Sequence, residues 1–212
     1  MKTLAEHYGI CVNSEDPLYL FSGDMKDVTD AVARTKQPGL RIFVPRGGRL
    51  EAHFAINRDG RPADVRSMLQ SVLDAANAQF PFAWRLDEDA DCYTFVPTKT
   101  RDAQGHVIDS PALLDRKIDI PAGYRRIYEH AELMSKTLSA QTGFRVGCCQ
   151  GVVAGIPWGM QSIDFEAHDE PARSVLRRLI RATGGRYYYL ERCDPAVPGR
   201  QTWCAVNLIG IH

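Results

Sequence analysis

Residues 162–190, SIDFEAHDEPARSVLRRLIRATGGRYYYL, constrain the fold more than any other stretch of the chain. Ile163, Phe165 and Ala167 alternate with Ser162, Asp164, Glu166 and His168, the period-two pattern of a half-buried strand. Asp169 is placed to cap a following helix, and Pro171 suits a first turn, where its missing N–H costs nothing. Val175, Leu176, Leu179 and Ile180 gather into one apolar stripe, with Arg173, Arg177, Arg178 and Arg181 largely on the other side. Thr183-Gly184-Gly185 stops the helix, because glycine enters the left-handed region without steric cost. Tyr187, Tyr188 and Tyr189 then open a strand.

A similar pattern lies earlier in the chain. Met68-Leu69 and Val72-Leu73 answer Val175-Leu176 and Leu179-Ile180, and Pro62-Ala63 answers Pro171-Ala172. Both halves read strand, helix, strand, strand, helix, strand, strand. The expected architecture is therefore α+β, two tandem βαββαββ-type domains with helices on small mixed or antiparallel sheets. Residues 1–98 form the first domain, 99–115 a polar connector containing Gly105 and Pro111, and 116–212 the second.

In the first half, Leu4 to Tyr8 suggests a short helix, and Ile10 to Val12 and Leu18 to Phe21 are apolar runs. A short helix near 27–35 would turn Val28, Ala31 and Val32 inward. Leu40, Ile42 and Val44 alternate, as do Leu50, Ala52, Phe54 and Ile56, which predicts a hairpin across Pro45-Arg46-Gly47-Gly48. A helix over 64–79 leads to paired strands around 82–86 and 92–96, joined by an acidic turn at 87–91. In the second half a strand at 118–121 precedes a helix over 124–141 and a strand at 144–146. A glycine-rich loop over 147–159 follows, and 187–194 with 202–208 closes the chain as a hairpin.

Several function classes are disfavoured at once. The 212 residues carry 26 Lys plus Arg against 26 Asp plus Glu, so no global field draws nucleic acid. No run approaches the roughly 18 apolar residues that span a bilayer, so no transmembrane segment is expected. MKTLAEHYGICV has no apolar core and is not a signal peptide as it stands. Six cysteines allow two or three bridges in an oxidising compartment, and the chain is expected to be periplasmic or secreted.

The second half resembles the short N-terminal domain of bacterial secretins and TonB-dependent receptors. The residues that carry the likeness are Ile118-Asp-Ile-Pro-Ala122, Leu138-Ser-Ala-Gln-Thr-Gly143, Phe165-Glu-Ala167 with Pro171-Ala172, and Leu179 through Thr183-Gly184. It covers residues 116–209. The first half is a weaker match, with Asn77-Ala-Gln-Phe80 where the Thr-Gly stop would stand. The resemblance implies two small βαβ-like units sharing a sheet, and a periplasmic docking module without catalytic residues. It brings no pore or barrel segment with it. The whole chain is also similar to exported proteins of soil bacteria, through EDPLYLFSGDMKDVTD and VPRGG, a likeness that implies no activity.

Residue chemistry points the same way. Cys193 and Cys204 flank a turn in the last hairpin, within reach of a cross-strand disulfide, or stand as two buried thiols. Adjacent Cys148 and Cys149 predict one buried thiol and one bridged to Cys11 or Cys92. A thiolate nucleophile there needs a nearby cation, and Arg145 alone is close in sequence. A metal site drawing on Cys148, Cys149, His130 and His168 lacks any preset ligand spacing. Nothing calls for a cofactor. His7, His53 and His106 are scattered, and Asp87, Glu88, Asp89 and Asp91 lack calcium-loop spacing. Gly47-Gly48 and Gly184-Gly185 lack phosphate-loop context.

The binding candidates are Trp158 in its loop, Tyr188 on the face of a tyrosine strand turned from the core, and Arg177 and Arg181. The arginine face reads either as solvated or as the mark of an anionic partner. The expected function is non-enzymatic docking to an envelope protein through a strand edge or the Trp158 loop. The alternative is a thiol- or metal-dependent enzyme centred on Cys148-Cys149.

Overall fold

The computed structural model describes residues 8–36, 41–46, 48, 50–89, 92–148, 160–195 and 201–211. The first half runs β1 (Val12–Ser14), a 3-10 turn (Ser22–Asp24), β2 (Met25–Asp27), α1 (Ala31–Lys36) and β3 (Phe43–Pro45). It continues through α2 (Val65–Gln79), β4 (Ala83–Asp89), β5 (Cys92–Arg101), β6 (Val107–Asp109) and a second 3-10 turn (Leu113–Asp115). Then come β7 (Lys117–Arg126), α3 (Ile127–Thr142), β8 (Arg145–Cys148) and β9 (Ser162–Pro171). Last are α4 (Ala172–Ala182), β10 (Tyr187–Cys193) and β11 (Trp203–Gly210). The fold is α+β.

Local chemistry explains most boundaries. Asp64 caps α2 by accepting the backbone N–H groups of Arg66 and Ser67. Gly143 ends α3 at φ 72°, and Gly184 follows α4 at φ 68°. Asp169 is not the cap of α4. It sits in β9 with φ 47°, its backbone N–H donating to Asp119 Oδ1 and its carboxylate accepting from Lys117. The β7–β9 ladder is bulged here, and the extra residues carry Asp169 away from the helix start. Pro171 takes the capping position instead, without a side-chain bond. Residues 124–126, expected to open α3, extend β7.

One seven-stranded sheet has the order β4-β5-β1-β10-β11-β8, with β6 paired to β5. It takes strands from both sides of the expected connector. β1 lies at the centre, parallel to β5 on one flank and to β10 on the other. The halves therefore do not close two separate sheets. Residues 99–115 are not a bare connector either: Leu113 and Leu114 are buried in the main core. The predicted hairpin over 40–56 does not form, because β3 pairs with β2. Val28, expected to point inward, is exposed.

The main core joins the apolar faces of α3 and α4 to Ile118, Ile120, Phe165 and Ala167 of the separate β7–β9 ribbon. It also includes Val146, Tyr189, Cys204, Val206 and Leu208 of the large sheet. Val175, Leu176, Leu179 and Ile180 are all buried in it. α2 packs Met68, Leu69 and Leu73 on Val12 and Phe95. By strand alternation Asn13 and Thr94 face the opposite way, toward α4. No helix among the described residues is long and apolar enough to cross a membrane.

Candidate functional site

Arg173, Arg177 and Arg181 recur every four residues of α4, so they form one gently drifting line along the helix. The fold lays that line against β1, β5 and the end of β4. Its members meet different environments. Arg173 is only 5% exposed. Its Nε and Nη2 donate to the two oxygens of Glu15, at 2.6 and 2.7 Å, and Nη1 reaches Asp115. Burial alone would lower its pKa, but the bonds to and charge of Glu15 outweigh that and raise it. Glu15 also accepts the Tyr189 hydroxyl at 2.7 Å, and its carbonyl accepts Trp84 Nε1 at 3.1 Å. Burial, then the Glu15 charge, push the Tyr189 phenol well above its ordinary value. This end of the line is closed.

One and two turns further, the line opens on a cleft of about 380 Å³. Arg177, Arg181 and Arg186 line it with Asp89, Asn13, Tyr187, Tyr189, Ile180, Ile211 and the cysteines Cys11 and Cys92. The cleft exists because β1 meets β10 only at Ser14 and Leu190, so the strands are not laddered beyond it. Asn13 occupies the gap: its amide nitrogen donates to Thr94 Oγ1 at 3.1 Å and its oxygen accepts Tyr189 N at 2.9 Å. Arg177 Nη2 donates to the same Thr94 hydroxyl at 2.8 Å. Asp89 Oδ2 lies 2.7 Å from Arg181 Nη2 and 3.5 Å from Arg177 Nη1. Arg186 Nη2 donates to the Gly9 carbonyl at 3.0 Å. Among the described residues, three guanidinium groups and the carboxylate of Asp89 line the cleft. Guanidinium groups of this kind can donate paired hydrogen bonds to a carboxylate or phosphate.

Of the expected binding residues, Arg177 and Arg181 are brought together here. Tyr188 is not an exposed ring. It is 2% exposed, because the sheet face turned from α4 is also covered there, with Cys11, Leu190, Ile209 and Ile211 around it. Trp158 lies outside the described residues, as does Cys149. The expectation of a wholly solvated arginine face is corrected at Arg173, whose charge is neutralised by a glutamate 158 residues away.

Cys193 and Cys204 are bridged across directly paired positions of β10 and β11, with Cα atoms 4.0 Å apart. Cys11 is bridged to Cys92, which overturns a bridge from the Cys148-Cys149 pair to either of them. Cys148 is itself disulfide-bonded and offers no thiolate. His130 is buried beneath Phe165, and burial lowers its pKa. His168 is exposed between Asp119 and Glu166. Among the described residues these histidines form no ligand cluster with Cys148.

Sequence reasoning missed Glu191. It is fully buried, with Oε1 3.6 Å from Cys193 Sγ and Oε2 without a hydrogen-bond partner. Burial, then the charges of Glu15 and Asp16, raise its pKa well above the ordinary value, which favours its protonated form. A bridged sulfur has no hydrogen to give, so the carboxyl is the donor of any bond between them. Its alternation with Cys193 and Tyr189 on one face was the available signal. Glu191, Cys193 and Cys204 lie close enough to resemble a metal cage, but the bridge withholds both thiolates.

No protein-family model matches the chain, and neither a curated protein nor a solved structure matches it.

Proposed function

We propose that the protein is a non-enzymatic docking module of the bacterial cell envelope, periplasmic or secreted, which recognises a protein partner through the arginine cleft. The observation that carries this reading is the cleft itself: two arginines of α4 and Arg186 meet at an opening in the sheet, lined partly by tyrosine and isoleucine. Apolar walls with a few placed charges are the usual make-up of a recognition pocket. The Cys11–Cys92 and Cys193–Cys204 cross-links support an oxidising compartment, where such bonds persist. The order β7-α3-β8-β9-α4-β10-β11 supports the likeness to the short N-terminal domain of secretins and TonB-dependent receptors. β8 ends the sheet and is the edge at which an extended partner segment would add.

Site-specific photo-crosslinking tests the proposal. A crosslinker is placed at Ile211 in the cleft, at Arg145 on β8, and at exposed Lys136 on α3 as the control. In bacterial envelope extract a discrete protein adduct from Ile211, absent from Lys136, is the expected result. Absence of any adduct from both Ile211 and Arg145 would sink the docking function.

A further inference from the structure

Glu191 is fully buried beside a disulfide, and half of its carboxyl is unused. Oε1 stands 3.6 Å from Cys193 Sγ, while Oε2 has no hydrogen-bond partner. A buried polar atom left so is a cost to the fold, and it calls for a ligand. Glu191, Cys193 and Cys204 each offer one ligand atom, and the three atoms lie within 4.8 Å of one another. That spacing is close to a coordination sphere. A carboxylate oxygen about 2.0 Å and a thiolate about 2.3 Å from a tetrahedral zinc ion stand roughly 3.5 Å apart. The oxygen-to-sulfur distance therefore already fits, and what stands in the way is the bond between the two sulfurs.

We propose that Glu191, Cys193 and Cys204 form a redox-gated zinc site, closed as the disulfide and opened when a dithiol reductant cleaves it. A thiolate of the reductant attacks one bridge sulfur and the S–S bond breaks. The reductant's second thiolate then displaces that sulfur as the reductant closes its own disulfide, so two electrons and two protons pass to Cys193 and Cys204. Zn²⁺ displaces both thiol protons, and the carboxyl proton where Glu191 carries one, and binds two sulfurs and one oxygen. The cysteines are directly paired on β10 and β11, so rotation about their Cα–Cβ bonds parts the sulfurs while the ladder keeps its register. Their pair is the last of that ladder before the turn, and a ladder end opens more readily than its middle to admit reductant and ion. Two thiolates with one carboxylate suit zinc better than the oxygen-seeking Mg²⁺ or Ca²⁺. Glu15 and Asp16, whose charges act on Glu191, are each paired with an arginine, Arg173 and Arg192. Of these three carboxylates, Glu191 is the one with an unclaimed oxygen facing the sulfurs.

The test reduces the full chain with a water-soluble phosphine, which becomes its oxide and leaves no competing thiol. Co²⁺ is then titrated in, because it occupies zinc sites and reports thiolate ligands by a charge-transfer band. The reduced chain is expected to show that band and to lose it when Zn²⁺ is added, and the oxidised chain to show none. Glu191→Gln keeps both thiols and is expected to weaken Co²⁺ by at least the roughly tenfold that losing even an outer partner of a metal site costs. Cys193→Ser with Cys204→Ser is expected to abolish the band. Circular dichroism follows the fold throughout. No band in the reduced parent, equal affinity in Glu191→Gln, or a band that survives loss of Cys193 and Cys204 would each overturn the proposal. So would a fold lost on reduction and not regained with Zn²⁺.

Discussion

Arg173 and the pair Arg177 and Arg181 are the same residue type on the same helix, yet they sit in opposite surroundings. Arg173 is enclosed by Glu15, Asp115 and Tyr189, so its charge is spent inside the protein as a tie between α4 and the residue following β1. Arg177 and Arg181 face the opening where β1 and β10 part, and both reach Asp89 there. Burial turns a guanidinium into a structural element; partial exposure leaves it able to change partners. One helix thus carries the same side chain sealed in the core at one end and at the mouth of a cleft at the other.

The contrast breaks most sharply at the closed end. Arg173→Met leaves Glu15 buried without its counter-ion, and the expected loss of stability is about 3–5 kcal/mol. Urea unfolding measures it, and restoration of most of that loss by adding Glu15→Gln would locate the cost in the orphaned carboxylate. Next comes the cleft wall. Cys11→Ser with Cys92→Ser opens a bridge that spans 81 residues, for an expected loss of about 2–4 kcal/mol. The equivalent change at Cys193 and Cys204 opens a bridge spanning only 11 and should cost less by the same measurement.

Glu191 sharpens the comparison through pH. Its folded pKa is raised, so the folded state keeps a proton that the unfolded chain releases above the ordinary value of 4.5. Its contribution to stability is whole below that value and declines as pH climbs toward the raised folded value, by up to about 1.4 kcal/mol per pH unit. Glu191→Gln should flatten this decline, so its melting temperature relative to the parent rises from pH 5 to pH 8. A difference that stays constant over that range would show Glu191 ionised in the fold. The smallest effect belongs to the open end: Arg177→Gln with Arg181→Gln is expected to move stability by less than about 1 kcal/mol, since partly exposed pairs contribute little.

Periodicity made the local structure legible. The stripe Val175, Leu176, Leu179 and Ile180, the helix over 65–79 and the Cys193–Cys204 hairpin all follow from spacing within one element or between neighbours. Long-range pairing left no such trace. Asn13 and Glu15 look like turn residues beside Asp16-Pro17, and only the fold reveals that Asn13 bridges β10 and β5 while Glu15 receives Arg173. Leu113 and Leu114 lie in a polar stretch without a period, so two adjacent leucines gave no sign of their burial. At the cleft, arginine spacing identified Arg177 and Arg181, but Asp89 and Arg186 come from a hairpin end and a loop that only tertiary packing brings near.

The place of β1 also sets a timetable. One of its two neighbours is β10, and Asn13 bonds to Tyr189, 176 residues later. At about 5–20 residues per second, roughly ten to thirty seconds pass between the two emerging from a ribosome. Until then the flank of β1 that faces β10 is unpaired, and Glu15 meets Arg173 only after a further 158 residues have been made. The central strand therefore has to wait for a partner made long after it before the sheet can close around it.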